Sequence, residues 1–234
     1  MMQRAKEKIL VFTGAGVSAE SGLKTFRDSG GLWESMRIEE VATPEAWERD
    51  PAKVLDFYNM RRKAAAQAKP NPAHLAIAQL ETAFDVAIVT QNVDDLHERA
   101  GSSRVIRLHG NLSEAKSELD PSYRIPYPLE GLSLDDRCPR GGRLRPHIVW
   151  FGEAVENYEL ALEEVSTAGR MLVVGTSLSV YPAAGLVSYA RPDAEKVLVA
   201  MDIDACPEGF EFFKGRAGEI LPKLAQKWLS EKNR

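Results

Sequence analysis

Residues 8–33 read KILVFTGAGVSAESGLKTFRDSGGLW, and this stretch sets the fold class. Residues 9–12 are an apolar run behind a charged Lys-Glu-Lys, and the chain turns at once into Gly14-Ala15-Gly16. A short continuous apolar segment ending in Gly-x-Gly reads as a buried parallel strand feeding a helix N-terminus. Glycines there let the backbone approach a phosphate, and the free N–H groups of a helix start favour an anion. The helix is expected over residues 15–21 only, because Gly22 stops it. A polar, Gly-rich segment with Arg27, Asp28, Gly30 and Gly31 follows. A nucleotide turn followed by a charged loop suits a dinucleotide site that closes over its ligand. Taken alone, GAGVS is equally a tight turn with no ligand, because the third glycine of the dinucleotide fingerprint is missing.

Working outward, 234 residues suit one large domain, or one domain with an insertion. A net charge of -4 gives no general electrostatic case for nucleic acid. No apolar window has the length of a membrane span and the N-terminus lacks a long apolar signal segment, so no membrane partner and a cytoplasmic location are expected. Two cysteines, Cys138 and Cys206, argue against a disulfide scaffold and fit a reducing compartment.

Thr43 is placed to cap a helix opened by Pro44. Asp50 and Pro51 open another over residues 51–68, with Val54, Phe57, Tyr58 and Arg61 on one face. Residues 74–84 read as an amphipathic helix with Leu75, Ala78 and Leu80 in the core. Residues 85–90 read as a buried strand, and Gln91-Asn92-Val93-Asp94 stands at its C-terminal end, where open α/β sheets bind ligands. A short helix over 94–100 and a strand over 105–108 lead to His109-Gly110. Residues 112–144 are rich in Pro, Gly, Ser and charge without a clear period, and are expected to form a lid, an inserted subdomain or a mobile loop. Then come a strand that begins at Pro146 and turns by Glu153, a helix over 158–168 and a strand over 171–174 ending in Gly175-Thr176-Ser177. A helix over 182–189, a strand over 197–201 and a helix over 218–229 complete the chain. Strands alternating with helices give a parallel sheet with right-handed crossovers. Polar clusters recur at the strand ends (GAG, QNVD, HG and GTS), which favours the nucleotide reading over the empty turn.

GAGVSAESGLKTFR, TQNVDDLH, LHGNL, RPHIVWFGE and VVGTSLSVYPAAG together resemble the sirtuin family of NAD-dependent protein deacylases, in the family's order and over nearly the whole chain. The resemblance is to the compact bacterial type. It implies a Rossmann-type α/β domain formed by residues 1–33, 71–111 and 146–234, and a small domain formed by two insertions, 34–70 and 112–145. The cleft between them would hold NAD and an acyl-lysine protein or peptide. The acyl oxygen would attack the nicotinamide ribose carbon, giving nicotinamide, O-acyl-ADP-ribose and free lysine.

The residue roles follow from the same resemblance. His109 would be the general base, since an imidazole can be neutral near pH 7. His74, His97 and His147 are expected to be structural. Asn92 and Asp94 match the nicotinamide pocket, with Asp94 also able to cap the following helix. Gln91 would line the ribose, and Gly14, Ala15, Gly16 and Ser18 the phosphates. Arg27 would reach the phosphates or ribose from the loop, and Phe26 either shields the reactive carbon from water or simply packs. Gly175, Thr176 and Ser177 resemble adenine-side contacts, with Thr176 alternatively capping its own turn. Asp202 occupies a place where the family often has Asn. Val149, Phe151, Gly152 and Val180 would bind the peptide backbone as an added strand. Tyr58 and Arg61 resemble the Tyr-x-x-Arg pair of sirtuins that remove succinyl and malonyl groups; Arg61 can hold a distal carboxylate and Tyr58 can add a bond. The bland alternative places Arg61 and Arg62 on a solvated face and Tyr58 in the core.

One departure is plain. Most sirtuins hold a structural zinc with two Cys-x-x-Cys pairs, and this chain has no such pair, so a four-thiolate zinc site is excluded and no metal is expected. Tyr123, Ile125, Tyr127, Leu129, Leu132 and Leu134 are expected to hold the small domain instead. A monomer is expected. The competing functions are a mono-ADP-ribosyltransferase and a non-catalytic NAD or ADP-ribose sensor. His109, Asn92, Asp94 and Arg27 speak against the sensor, and the Tyr58/Arg61 pair against the transferase.

Overall fold

The computed structural model describes residues 6–24, 32–33, 36–128 and 130–232. In chain order the strands are β1 (Lys8–Thr13), β2 (Leu32–Trp33), β3 (Met36–Arg37), β4 (Asp85–Thr90), β5 (Val105–Arg107), β6 (Gly110–Ser117), β7 (Arg124–Pro126), β8 (Leu144–Ile148), β9 (Arg170–Val174), β10 (Glu195–Ala200) and β11 (Glu211–Lys214). The helices are α1 (Ile38–Val41), α2 (Pro44–Arg49), α3 (Pro51–Gln67), α4 (Pro72–Leu80), α5 (Leu96–Arg99), α6 (Tyr158–Thr167) and α7 (Ala217–Lys232).

The expected parallel sheet is present, in the order β11-β10-β9-β1-β4-β5. Its inner strands β1, β4, β9 and β10 are largely apolar past their first residues because both faces are covered there. Ile9 and Val11 point to the face packed by α4 and α7, with Trp228 fully buried there. Leu10 and Phe12 point to the other face, against Ala161, Val165 and Leu186. β4 and β5 lie on one side of β1, and β9, β10 and β11 on the other. That reversal between β1 and β9 opens the crevice in which an α/β sheet binds its ligand. β11, absent from the sequence reading, is a mostly exposed edge strand with no apolar run to betray it.

Helix starts follow the capping rules. Thr43 Oγ1 accepts from Ala46 N at 3.1 Å, and Asp50 Oδ1 accepts from Lys53 N at 3.1 Å. α4 begins before the expected 74–84, because Asn71 Oδ1 accepts from Ala73 N and His74 N ahead of Pro72. The earlier start leaves Leu75, expected in the core, 53% exposed, while Ala73, Ile77 and Leu80 face the sheet. Residues 182–189, expected as an α-helix, form a 3-10 helix, Ala183–Tyr189.

Residues 112–144 are not wholly irregular. β6 pairs antiparallel with β7 and β8, in the order β7-β6-β8. This sheet packs on α1, α2 and α3 around Trp47, Tyr58, Leu112, Ala115, Leu132, Cys138 and Trp150. Of the residues expected to build this core, Tyr127 and Leu132 do so, and Tyr123 and Ile125 pack at its margin. Leu134 is 40% exposed, because it sits in a turn region whose neighbours face solvent. Leu129 lies outside the described residues.

A tilted pair of tryptophans and two guanidinium caps join these elements. Trp47 and Trp150 lie 5.8 Å apart, with Arg143 over the first and Arg145 over the second. Asn59 of α3 pins the 127–132 loop. Its Nδ2 donates to Leu132 O at 3.0 Å, and its Oδ1 accepts from Leu132 N at 3.0 Å and Tyr127 Oη at 2.9 Å. The amide thus pairs with Leu132 as a strand backbone would.

Candidate active site

The ends of β1 and β9 dock on each other. Gly14 N donates to Val174 O at 3.0 Å, and Gly16 N to Gly175 O at 2.8 Å. A Cβ on Gly14 would stand 2.7 Å from Thr176 Cβ, and one on Gly16 2.8 Å from Gly175 Cα. These glycines are therefore required by turn-on-turn packing, before any phosphate is considered. The expected helix over 15–21 is two 3-10 turns, Ala15–Val17 and Ala19–Ser21, closed by Gly22 at φ +87°. A piece this short carries little of the dipole that a long helix would direct at an anion. Ala15 is exposed at the tip of the turn.

Below the turn, Ser18 is buried and its hydroxyl is saturated. Asn71 N donates to His74 Nδ1 at 3.3 Å, so the proton of a neutral His74 sits on Nε2 and points at Ser18 Oγ, 3.4 Å away. Asn92 Nδ2 also donates to Ser18 Oγ, at 3.2 Å, and Ser18 donates onward to Asp94 Oδ2 at 3.1 Å. Asp94 Oδ1 accepts from Leu96 N at 3.1 Å, so Asp94 shapes the start of α5 as well as facing the crevice. Burial pushes the Asp94 carboxyl up, against its hydrogen bonds to Leu96 N and Ser18. A second layer joins Thr13, Thr90 and His97: Thr13 Oγ1 donates to Thr90 Oγ1 at 2.8 Å and lies 3.1 Å from His97 Nε2. His74 and His97 meet edge to face at 4.9 Å, and burial pushes them down to about 4 and about 3. Both are structural, as expected, yet they orient the residues that face the ligand. Asn71 is the residue of this group that the sequence reading passed over; an Asn-Pro helix start three residues ahead of a buried His was the available signal.

His109 occupies the corner between the two sheets, after β5 and before β6. Its Nδ1 lies 3.1 Å from Gln91 O. A carbonyl only accepts, so Nδ1 carries the proton and Nε2 keeps its lone pair. Burial holds the ring below its ordinary value of 6.5, opposed by that hydrogen bond, and leaves it neutral at pH 7. Gln91 Nε2 donates to Thr176 Oγ1 at 3.2 Å, and Leu178 N donates to the same oxygen at 3.1 Å, so Thr176 does cap its own turn while tying β4 to β9. Ser177 Oγ lies 2.7 Å from Ser179 Oγ, and Asp202 is exposed beyond β10. Phe26 and Arg27 lie outside the described residues. A buried amide and carboxyl beside a neutral imidazole, at a topological switch point, suit a ligand that carries an amide and ribose hydroxyls, as NAD does.

The Sir2 family model matches residues 14–182, which span the crevice and the three-stranded β7-β6-β8 sheet. The chain is 46% identical over 231 residues to an NAD-dependent protein deacylase of Bacteroides thetaiotaomicron, covering 96% of each. It is 51% identical over 190 residues to one of Aggregatibacter actinomycetemcomitans, covering 81% of this chain and 91% of that one. A solved Sir2 homologue in complex with NAD superposes with a TM-score of 0.86 at 36% identity, covering 97% of this chain and 91% of that one. The chain belongs to the Sir2 family.

Elsewhere in this Sir2 chain, Tyr58 is fully buried and its hydroxyl accepts from Trp150 Nε1 at 3.1 Å. Burial raises Tyr58 well above its ordinary value, so the phenol keeps its proton. Arg61 is half-buried on α3, with its guanidinium 6.0 Å from the Phe57 ring centre. Arg62, the other half of the expected solvated face, is buried and sits 5.1 Å over Tyr127. The stretch expected to bind the peptide departs from an open strand. β8 ends at Ile148, and Phe151, Gly152 and Glu153 turn back. Val149 N donates to His109 O, Trp150 N to Glu153 Oε2 and Phe151 N to Ala42 O, so these amides are already engaged. Val180 O accepts from Ala184 N. Strand addition at Val149 and Phe151 would therefore rest on their carbonyls, whereas the Val180 carbonyl is already engaged, with Gly152 as the flexible point.

Proposed function

We propose that this chain is an NAD-dependent protein-lysine deacylase that takes acetyl-lysine and also short acidic acyl groups, succinyl and malonyl. The observation that carries the chemistry is the fixed tautomer of His109: Nδ1 is spent on Gln91 O, so Nε2 is the base. When bound, NAD supplies the ribose carbon that the acyl oxygen attacks, with nicotinamide as leaving group. His109 Nε2 takes the proton of a ribose hydroxyl. Asn92 and Asp94, held by Ser18, orient the nicotinamide amide and ribose. Phe26 and Arg27 would close over the cofactor, keeping water from the reacting carbon. Residues 34–70 and 112–145 act as the small domain that completes the cleft.

The acidic-acyl preference rests on Tyr58 and Arg61. Tyr58 lies in the core, as the bland alternative has it, so its hydroxyl, which accepts from Trp150 Nε1, would donate to a carboxylate only where the acyl chain reaches in to it. Arg61 supplies the countercharge one helical turn away. Arg61→Met should lower kcat/KM for succinyl-lysine peptide by about a hundredfold, the loss of a charge-assisted pair, and for acetyl-lysine peptide by less than about threefold. Equal losses would sink the preference. Mass spectrometry should find deacylated peptide together with O-acyl-ADP-ribose; label transferred to protein instead would favour the ADP-ribosyltransferase.

A further inference from the structure

His147 of β8 takes no part in the chemistry above, is 3% exposed, and lies between two carboxylates. Its Nδ1 is 2.8 Å from Glu114 Oε2 on β6. Its Nε2 is 2.9 Å from both oxygens of Glu156. Carboxylates accept, so the ring serves both only by donating from both nitrogens. His147 in turn holds the Glu156 carboxyl below the usual carboxylate range. The other charged groups facing the cluster are Lys116 of β6 and Arg124 of β7, 3.8 and 3.6 Å from Glu156, and Arg145 of β8, paired with Glu153.

The position of the cluster gives it a task. Between His147 and Glu156 the chain makes the excursion that carries Val149, Phe151 and Gly152. The base of that excursion is also fixed to the catalytic corner: Val149 N donates to His109 O at 3.0 Å, and Glu156 N to Leu108 O at 3.1 Å. We propose that His147 and Glu156 form a staple across the base of the 149–155 loop, anchored to β6 by Glu114, and that His147 is a positioning residue for the acyl-peptide. The staple sets the loop and not the base, because His109 has its own anchor in Gln91 O.

The proposal rests on the reading of residues 149–152 as peptide-facing. The test is steady-state kinetics with an acetyl-lysine peptide and NAD on Glu156→Ala, Glu156→Gln and His147→Gln. Glu156→Ala keeps its backbone bond to Leu108 and should raise the peptide KM roughly tenfold, the loss of a charge-assisted hydrogen bond, with the NAD KM and kcat within about twofold. Glu156→Gln keeps an acceptor for Nε2 and should recover most of the loss. His147→Gln should follow Glu156→Ala; if it does not fold, the two Glu156 variants decide. An unmoved peptide KM in Glu156→Ala overturns the staple, as does an equal rise of the NAD KM or a fall confined to kcat. Absence of turnover in the wild-type protein would instead sink the deacylase reading.

Discussion

His109 owes its chemistry to one carbonyl. Because Gln91 O fixes the tautomer while burial disfavours the charged ring, the base stays neutral below the pH at which a free histidine would protonate. The acid limb of kcat/KM against pH should therefore fall below 6.5, the ordinary histidine value. A limb at or above that value would contradict the assignment. His74 and His97 make a stability prediction of the same origin. Folded, they are pushed down to about 4 and about 3; unfolded, they protonate near 6.5. Between those values the unfolded chain binds protons that the folded one does not, so stability is lost as pH falls from 6.5. The loss should reach about 2 kcal/mol per histidine at pH 5. Urea unfolding at pH 7 and pH 5 measures it, and His97→Gln should remove about half of the difference. A difference that His97→Gln leaves intact would assign it elsewhere.

Among the elements, the corner at Gly110 is the least forgiving. Its φ is +85°, and an added Cβ would stand 2.1 Å from His147 O, a backbone atom that cannot swing aside. Gly110→Ala should cost about 2 kcal/mol or more through strain and overpacking. Deacylation should drop more than about tenfold, because a small displacement of the adjacent His109 is enough. A variant with unchanged melting and turnover would show that the corner is not fixed. The sequence made some elements legible and hid others for physical reasons. β1, β4, β9 and β10 are apolar runs, so their identity as two-face-covered strands is written in their own residues. β6 is not: Glu114 and Lys116 interrupt any alternation, and its β8 partners lie tens of residues away, while the sequence reading of β8 begins only at Pro146 although the strand starts at Leu144. The turn at Ala15–Val17 looked like a helix start because Gly-x-Gly fits both, and only its docking on Gly175 decides between them.

At the scale of the molecule, the polar residues at the strand ends were legible because they cluster there, whereas the layer behind them was not. Asn71, Thr13 and Thr90 act through partners far along the chain, and of the three only Asn71 carries a local signal, its Asn-Pro helix start. The core around Trp47 shows the same limit. It draws on residues from 41–65 and 112–144 and also on Val93, Ile148 and Trp150, outside both stretches. That shared core bears on the absent zinc cysteines. With two cysteines in the chain, one buried in that core and the other exposed beyond β10, thiolates cannot supply a tetrahedral site. The paired Trp47 and Trp150, their arginine caps and the three bonds of Asn59 fasten the same two stretches together. Purified protein should therefore contain zinc well below one per chain by elemental analysis and keep its activity in chelator. Asn59→Ala, by contrast, should cost about 2–3 kcal/mol, since it strands the Leu132 and Tyr127 groups it now satisfies. Activity lost to chelator and restored by zinc, with Asn59→Ala melting like the wild type, would mean that a metal fastens this core after all.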